Sequence, residues 1–370
     1  MKIGVIGVGR LGLCFALLVE KAGYTVVASD NREDYIQDLR KGVVGTTEPN
    51  VHDLLWNSKN ITFTTNNCDV IEECDLIFTF VATPSLEDGS YDVSAVEKVV
   101  QDITTSSSKL SGKSLVVGCT TNPGDCNRFE KELDYFGMDV YYNPEFIAQG
   151  SIVSDLQKPD IVLICGDGRH AIAIEGIYRK IVESDCSVHC MSTKAGEIVK
   201  IAINTFLTTK ISYANLLGEV LALSGLSNEI DSVLGAIGND SRIGKKYLNY
   251  GFGFGGPCFP RDNRSFASYA NSVGVEFNIG ETTDNFNNEH AKFLKDYFIK
   301  DNKDKLPFCF RYIAYKEGTD ILTESQQYRL CLDLLDEGYK VYVIDGCVKD
   351  YADGRIVFEE PNEEVYWINL

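Results

Sequence analysis

Short apolar runs recur along the first half of the chain and alternate with polar stretches of helical character. The strand-like runs include LIFTFVAT, SLVVGCT, DVYYNPEF and DIVLICG, and stretches such as VSAVEKVVQDI lie between them. Near-continuous apolar strands that alternate with helices are typical of a parallel sheet covered on both faces. The pattern predicts an α/β domain over residues 1–192, with functional residues just beyond the carboxyl ends of its strands.

A long helix and a second, smaller α/β region are predicted beyond residue 192. Residues 197–217 contain no Gly or Pro and are bounded by Gly196 and Gly218, which indicates a long helix within a central region, 193–298. The polar stretch KDNKDKLP then resembles a linker. Strand-like FCFRYIAYK and YKVYVID flank a helix-like segment, so residues 299–370 are expected to form a second α/β domain. We expect this domain to be short, because few residues follow Asp345.

A glycine-rich turn opens the chain between the first predicted strand and helix. Gly7, Gly9 and Gly12 form the pattern GxGxxG, which allows a tight turn, close approach of a pyrophosphate and close packing of helix on strand. Asp30 ends the next strand, at roughly the 20-residue spacing at which a carboxylate accepts hydrogen bonds from a ribose. The pattern predicts a Rossmann-type domain that binds NAD rather than NADP, although the neighbouring Arg32 weakens that discrimination. The predicted cofactor-binding residues are Gly7, Gly9, Arg10, Leu11, Gly12, Asp30, Thr83 and Thr120.

Composition excludes several classes of partner. The formal charge of −19 argues against a general binder of nucleic acid or membrane surfaces, which need dense positive fields. No run of eighteen apolar residues occurs, and MKIGVIGVGRLG has the character of a strand and turn rather than a cleavable signal, so a cytoplasmic protein is expected. The twelve cysteines form no CxxC pair and no Cys/His zinc spacing, so no metal site is predicted and most are expected to be small buried residues.

Two further patterns have the character of a chemical site. The segment GFGFGGPCFPRD, residues 251–262, predicts a shaped, stiff loop around Cys258, because glycines permit close backbone approach and prolines fix the chain. Lys200 and Asn204 are four residues apart and therefore share one face of the predicted long helix. Lysine on a helix is usually solvated, but the surrounding residues here are mostly apolar, and a buried lysine needs a partner or a purpose.

The chain resembles the UDP-glucose/GDP-mannose dehydrogenase family along nearly its whole length. The matching segments, in the order of the family, are GVGRLG, VATPS, NPEF, GEIVKIAIN, RIGKKYL, FGGPCFPRD and the weaker YKEGTDILTES. FGGPCFPRD and RIGKKYL look most like the branch that uses UDP-glucose. The resemblance implies a four-electron oxidation, in which the C6 alcohol of a nucleotide sugar becomes a carboxylate while two NAD are reduced in turn. It also implies that residues 299–370 bind the nucleotide sugar.

By resemblance, Cys258 attacks the intermediate aldehyde, and loss of a second hydride from the thiohemiacetal leaves a thioester for hydrolysis. The resemblance also implies that Lys200 and Asn204 hold the developing oxyanion. Asp262 is implied to order a water or to assist proton transfer. Glu145 is implied to activate the hydrolytic water, and Thr120 to position water.

The resemblance also implies a substrate site and a partner. Arg242 matches an arginine that the family sends across a two-fold interface to the sugar, so a homodimer whose interface lies in the central region is implied. Lys316 matches a lysine that reaches the pyrophosphate of the substrate. The remaining implied substrate-binding residues are Glu145, Phe146, Ile147, Ala148, Lys200, Asn204, Lys246, Tyr247, Leu248, Asn249 and Gly255.

Three positions depart from the family pattern. Gln149 replaces a second glutamate, Thr323 replaces an arginine and Pro257 replaces a serine. An amide at position 149 can orient a water but cannot titrate. Together with the short C-terminal region, these changes leave open a protein that binds nucleotide sugar or NAD with reduced or lost catalysis.

A second alternative is a two-electron enzyme. Gly196, Lys200 and Asn204 have the spacing of β-hydroxyacid dehydrogenases, which need no cysteine. That alternative gives no role to FGGPCFPRD or NPEF. The number of NADH formed for each substrate molecule distinguishes the two reactions.

Overall fold

The computed structural model describes residues 1–106, 109–349 and 351–370. The chain forms two compact units, Met1–Lys200 and Ile201–Leu370. The predicted boundaries after residues 192 and 298 stay predictions.

The first unit contains an eight-stranded sheet, which confirms the predicted α/β fold. Its order is β3-β2-β1-β4-β5-β6-β7-β8, and the pairs are parallel except for β6 with β7. The strand order reverses between β1 and β4, so the turn after β1 lies where α/β sheets of this kind bind ligands. The strands are β1 Lys2–Ile6, β2 Thr25–Ser29, β3 Ile61–Thr64, β4 Leu76–Thr79, β5 Ser114–Val117, β6 Asp139–Tyr142, β7 Ile161–Cys165 and β8 Ser187–Met191.

Helices cover this sheet and bury an apolar core. The ring of Phe15 in the first helix lies 4.7 Å from that of Phe78 in β4 and 6.3 Å from that of Tyr178 in the eighth helix, measured between centroids. These buried rings fix the helix that follows the glycine turn against the sheet. The helices are α1 Arg10–Lys21, α2 Glu33–Arg40, α3 Val51–Asn57, α4 Asn67–Glu73, α5 Ser94–Thr105, α6 Asp125–Asp134, α7 Ile152–Gln157 and α8 Ala171–Ile181.

The predicted long helix exists, but its expected ends at Gly196 and Gly218 are wrong. The helix α9 runs from Thr193–Leu223 and passes through both glycines. A Cβ at Gly196 would lie 2.3 Å from the sulfur of Cys165, and one at Gly218 would lie 2.0 Å from the ring of Tyr250. These glycines therefore mark close packing inside the helix and not its termini.

The second unit combines helices with a small parallel sheet of order β10-β9-β11. Its core contains Phe298, Phe308, Leu330 and Val341. The predicted second α/β region is confirmed, with strands shorter than the apolar segments suggested. The elements are a 3-10 helix Ser227–Glu229, α10 Ile230–Gly238, α11 Phe259–Ser272, α12 Ile279–Asp301, β9 Phe308–Phe310, α13 Gln326–Asp336, β10 Val341–Val343 and β11 Tyr366–Trp367.

Within the described ranges, no helix combines the length and the apolar character needed to cross a membrane.

Candidate active site

The glycine turn borders a cavity of about 630 Å³ in the first unit. The helix α1 starts at Arg10 directly after the turn, and its N-cap, Gly9, offers no side-chain acceptor to the first amides. A Cβ built on Gly9 would meet no atom within 4 Å, so the backbone there is open to a ligand. Open amides at a helix N-terminus suit the phosphates of a dinucleotide. Gly7, Gly9 and Asp30, three of the predicted cofactor-binding residues, line this cavity.

Asp30 follows β2, but its carboxylate is already engaged. The Nε of Arg32 donates to Asp30 Oδ1 at 2.8 Å and the Nη2 donates to Oδ2 at 2.9 Å. The Asp30 side chain is 8 % exposed and that of Arg32 is 54 % exposed. A carboxylate has about four lone-pair sites, so Asp30 can accept from a ribose while it keeps Arg32.

Gln149, the departure that follows the NPEF segment, is hydrogen-bonded to Arg10, which directly follows Gly9 of the glycine turn. The Nη1 of Arg10 donates to Gln149 Oε1 at 2.7 Å. The amide is therefore held by a residue of the glycine turn. Of the other predicted cofactor residues, Leu11 is half-buried against the core, Thr83 is buried and Thr120 is half-buried beyond β5.

Glu145 and Lys200 come together in the first unit. The ammonium of Lys200 donates to the backbone oxygen of Glu145 at 3.0 Å and lies 4.9 Å from the ring centroid of Phe146. Lys200 is 8 % exposed, so it does not occupy a solvated helix face. Burial raises the pKa of Glu145 to about 7, against the opposing effects of a hydrogen bond from Tyr178 and of the charge of Lys200. A carboxyl group poised near neutral pH is suited to general base catalysis.

A second buried glutamate, Glu197, fixes the helical segment that carries Lys200. Glu197 is fully buried and accepts from Thr121 Oγ1 at 2.8 Å, from the amide of Gly124 at 2.6 Å and from the amide of Cys126 at 2.9 Å. Burial raises its pKa, and the two amide donors oppose this. The side chain therefore ties α9 to the start of α6. Sequence analysis missed it, since its partners lie more than seventy residues away along the chain.

We expect Glu197→Ala to lower the free energy of unfolding by about 2 kcal/mol or more, because it leaves three donors, two of them buried, without their acceptor. Urea denaturation followed by circular dichroism measures this. Glu132→Ala, at an exposed position on α6, is the matched control and should change stability by less than about 0.5 kcal/mol. Equal stability of the Glu197 and Glu132 variants would contradict the assigned role.

The glycine-rich loop of the second unit packs closely against residues 315–324. A Cβ at Gly255 would lie 2.3 Å from the backbone oxygen of Glu324. Gly256 has φ +81°, and a Cβ there would lie 2.4 Å from the ring of Tyr315. The amide of Gly256 donates to the carbonyl of Thr323 at 3.1 Å. The crowded sequence therefore serves to hold the chain that leads into Cys258.

Cys258 is exposed and immediately precedes α11, the fourteen-residue helix that starts at Phe259. It is one of four exposed cysteines, with Cys68, Cys190 and Cys347. The partial positive charge of a helix N-terminus stabilises a thiolate, which is the nucleophilic form. The structure therefore shows an accessible cysteine at a helix N-terminus, a type of position that favours a nucleophilic thiol.

Asp262 joins Cys258 to α9 within the second unit. Its amide donates to the carbonyl of Cys258 at 2.8 Å, and its carboxylate accepts a hydrogen bond from the Nδ2 of Asn204. Asp262 is 2 % exposed. The predicted trio of Cys258, Asp262 and Asn204 is thus linked through one backbone and one side-chain hydrogen bond.

Asn263, which sequence analysis missed, anchors the same turn of α11. It is fully buried and accepts from Thr208 Oγ1 at 2.9 Å, while its Nδ2 donates to the carbonyl of Gly280 at 2.9 Å and to Thr283 Oγ1 at 2.7 Å. The adjacent asparagine and aspartate therefore hold α11 against both α9 and α12. The only local signal is its position, since this asparagine directly follows the aspartate of the FGGPCFPRD segment.

The other predicted substrate residues occupy surface segments. Arg242 is bound to the carboxylate of Asp240, two residues earlier, and its side chain is 87 % exposed. Tyr247 has a positive φ of 63°, next to the buried Leu248. Phe146 and Ile147 are half-buried, whereas Ala148, Lys246, Asn249 and Lys316 are exposed. Within the described residues, no group of three or more His, Cys, Asp or Glu side chains could hold a metal ion.

Comparison with known families matches two consecutive parts of the chain. Residues 1–182 match the NAD binding domain of the UDP-glucose/GDP-mannose dehydrogenase family, and residues 194–289 match its central domain. A putative UDP-glucose 6-dehydrogenase of Bacillus subtilis is 30% identical over 93% of this chain and 81% of its own length. A UDP-glucose 6-dehydrogenase of Pseudomonas aeruginosa is 29% identical over 93% of this chain and 79% of its own length.

Two solved structures of related dehydrogenases have a fold similar to that of this chain. The UDP-glucose dehydrogenase of the archaeon Pyrobaculum islandicum is 27% identical, with a TM-score of 0.85 over 97% of this chain and 86% of that chain. The UDP-D-ManNAc dehydrogenase of Pyrococcus horikoshii, 21% identical with a TM-score of 0.80 over 93% of this chain and 84% of that chain, shares the fold. The chain is therefore a member of the UDP-glucose/GDP-mannose dehydrogenase family, an NAD-dependent oxidoreductase of nucleotide sugars.

Proposed function

We propose that this protein oxidises the C6 alcohol of UDP-glucose to the carboxylate of UDP-glucuronate in two successive steps, through covalent intermediates on Cys258. The observation that carries the proposal is the placement of an exposed Cys258 at the start of α11, with the buried Asp262 and Asn204 behind it. A two-electron dehydrogenase has no use for such a cysteine. We also infer a homodimer, because Arg242 matches an arginine that the family sends across a two-fold interface; this match is the only support for the dimer.

NAD held at the glycine turn would supply the hydride acceptor for both oxidations at C6, and NADH would be exchanged for NAD between them. The first oxidation converts the alcohol to an aldehyde and releases one proton. The thiolate of Cys258 then adds to the aldehyde carbon, and the carbonyl oxygen takes up that proton to give a thiohemiacetal. The second oxidation removes a hydride from carbon and the hydroxyl proton, which leaves a thioester. Water attacks the thioester carbon, the carbon–sulfur bond breaks, and the carboxylate and the thiol are released.

The polar residues act on the oxygen at C6 and on the attacking water. The ammonium of Lys200 and the amide of Asn204 stabilise negative charge on the C6 oxygen, because an amide nitrogen that donates one proton to Asp262 has a second to give. Glu145 takes a proton from the hydrolytic water, which Thr120 helps to position. Asp262 holds Asn204 in place.

Counting NADH tests this proposal. The purified protein is incubated with NAD and a limiting amount of UDP-glucose, UDP-galactose, UDP-N-acetylhexosamines or GDP-mannose, and NADH is followed by absorbance. We expect two NADH for each UDP-glucose and little turnover of the others. A ratio of one favours the β-hydroxyacid type of reaction, and calorimetric binding without NADH from any sugar favours a protein that has lost catalysis.

Acid formation should rise with pH through about 7. Glu145 is protonated below its pKa of about 7 and cannot then accept a proton from water, so the hydrolytic step slows as the pH falls. Stopped-flow measurement of acid release between about pH 5.5 and about pH 8.5 checks this dependence. Glu145→Gln should be slow and lose this limb of the profile, and an unchanged profile in that variant would show that another group acts as the base.

A further inference from the structure

Two buried side chains behind Glu145 have no place in the mechanism above. Tyr178 on α8 is 3 % exposed and Asn143, directly after β6, is 1 % exposed. The hydroxyl of Tyr178 lies 2.7 Å from Asn143 Oδ1 and is also hydrogen-bonded to Glu145 Oε1. The three side chains therefore form a continuous row that ends at the proposed base.

The orientation of Asn143 is fixed by its other contact. Its Nδ2 donates to the carbonyl of Leu163 at 2.7 Å. The oxygen must then face Tyr178, where it can only accept a hydrogen bond. Tyr178 has one hydroxyl proton, so it can donate to Asn143 or to Glu145 but not to both.

Counting protons along this row favours one form of Glu145. If the carboxyl group is ionised, both neighbours of the Tyr178 hydroxyl are acceptors, and one of the two oxygen–oxygen contacts contains no proton. If the group is protonated, Glu145 donates to Tyr178 and Tyr178 donates to Asn143. Every contact in the row is then a hydrogen bond.

We propose that Asn143 and Tyr178 are positioning residues that keep Glu145 protonated in the resting enzyme, and that Glu145 becomes a base when the Tyr178 hydroxyl turns from Asn143 towards it. In that step the proton of Glu145 passes to water and the Tyr178 proton moves from one hydrogen bond to the other. The inference rests on the proposed function, since it concerns the same base.

The charged neighbours of Glu145 act against this bias. A hydrogen bond donated by Tyr178 to the carboxylate lowers the pKa of Glu145, so the protonated form needs the Tyr178 hydroxyl to donate to Asn143 instead. Lys200 of α9, which contacts the backbone oxygen of Glu145, also favours the ionised form. Arg10 of α1 is bound to Gln149, four residues further along the same segment. The protonated form therefore depends on burial and on the row of hydrogen bonds, because the nearest cation opposes it.

A double-mutant cycle tests the row without any need for turnover. The titration of Glu145 is followed in the full-length protein by infrared difference spectroscopy, and its carboxyl band is assigned by its loss in Glu145→Gln. We expect a midpoint near pH 7 in the wild-type protein. Asn143→Ala should lower the midpoint of the Glu145 titration by about 1 pH unit. In that variant Tyr178 can donate its proton to the carboxylate without giving up a hydrogen bond to Asn143. In the Tyr178→Phe background the same Asn143 change should leave the midpoint where it is.

An Asn143→Ala midpoint that does not fall overturns the proposal, as does an equal fall in the Tyr178→Phe background. Tyr141→Phe is the matched control, because Tyr141 is equally buried on β6 and its hydroxyl bonds the amide of His170 instead. If Asn143→Ala does not fold, the wild-type protein still decides: the phenol C–O band of Tyr178 should shift as Glu145 titrates, and a constant band contradicts the change of partner. A protein that shows these midpoints but oxidises no sugar would refute the proposed function and leave the row intact.

Discussion

Cys258→Ser should abolish net acid formation while NAD and UDP-glucose still bind. A serine hydroxyl is a much weaker acid than a cysteine thiol, so at neutral pH it provides far less of the anionic nucleophile than a thiol at a helix N-terminus does. We expect turnover to acid to fall by at least about 10³-fold, since loss of a covalent nucleophile is among the largest single effects in catalysis. Acid is quantified by chromatography of the product, and binding by calorimetry.

The matched control is Cys347→Ser, which removes another exposed thiol from the second unit. It should keep normal turnover. A further check is trapping: a quenched reaction of the wild-type protein should contain a substrate adduct on the peptide that carries Cys258. Normal acid formation by Cys258→Ser would remove the covalent intermediate from the mechanism and with it the main argument against a two-electron enzyme.

Lys200→Ala should reduce turnover by roughly 10²- to 10³-fold with little effect on the fold, because it removes a donor that stabilises developing negative charge. The loss should appear in kcat more than in KM, since the charge develops only in the transition state. Steady-state kinetics measures both constants, and thermal unfolding checks that the protein is intact.

Lys194→Ala is the control for the second experiment. Lys194 lies near the start of the same helix, at an exposed position, so its removal should leave kcat within about twofold of the wild-type value. Equal kcat values for the Lys194 and Lys200 variants would mean that the buried ammonium has a structural role, towards the carbonyl of Glu145 alone.

The fold could be predicted from the sequence where buried residues follow one another along the chain. The interior strands are continuous apolar runs, and α1 follows a recognisable turn, so both were accessible from the sequence. The strand β8 was not, since SVHCM lies at the sheet edge with most of its side chains partly or fully exposed and shows no apolar run. The ends of α9 were misjudged because a glycine that lets two elements pack closely looks the same in sequence as one that ends a helix.

The same limit applies to the candidate site. Residues inside local motifs, such as Cys258 and Glu145, could be selected from the sequence. Tyr178, Glu197 and Asn263 could not, because each is defined by a hydrogen bond to a partner 17 to 76 residues away. A buried polar residue has no local signature, since its partners are brought to it only by the fold.

The Cys258 loop is attached to position 323, where this chain has threonine in place of the arginine of the family pattern. The kind of attachment explains why the loop does not need that arginine. The loop is held there by the peptide carbonyl of residue 323, which every amino acid possesses, and not by the side chain. A different side chain at position 323 therefore leaves the acceptor of this hydrogen bond in place. Thr323 departs from the family pattern in its side chain, but the hydrogen bond that holds the Cys258 loop is made by its backbone carbonyl.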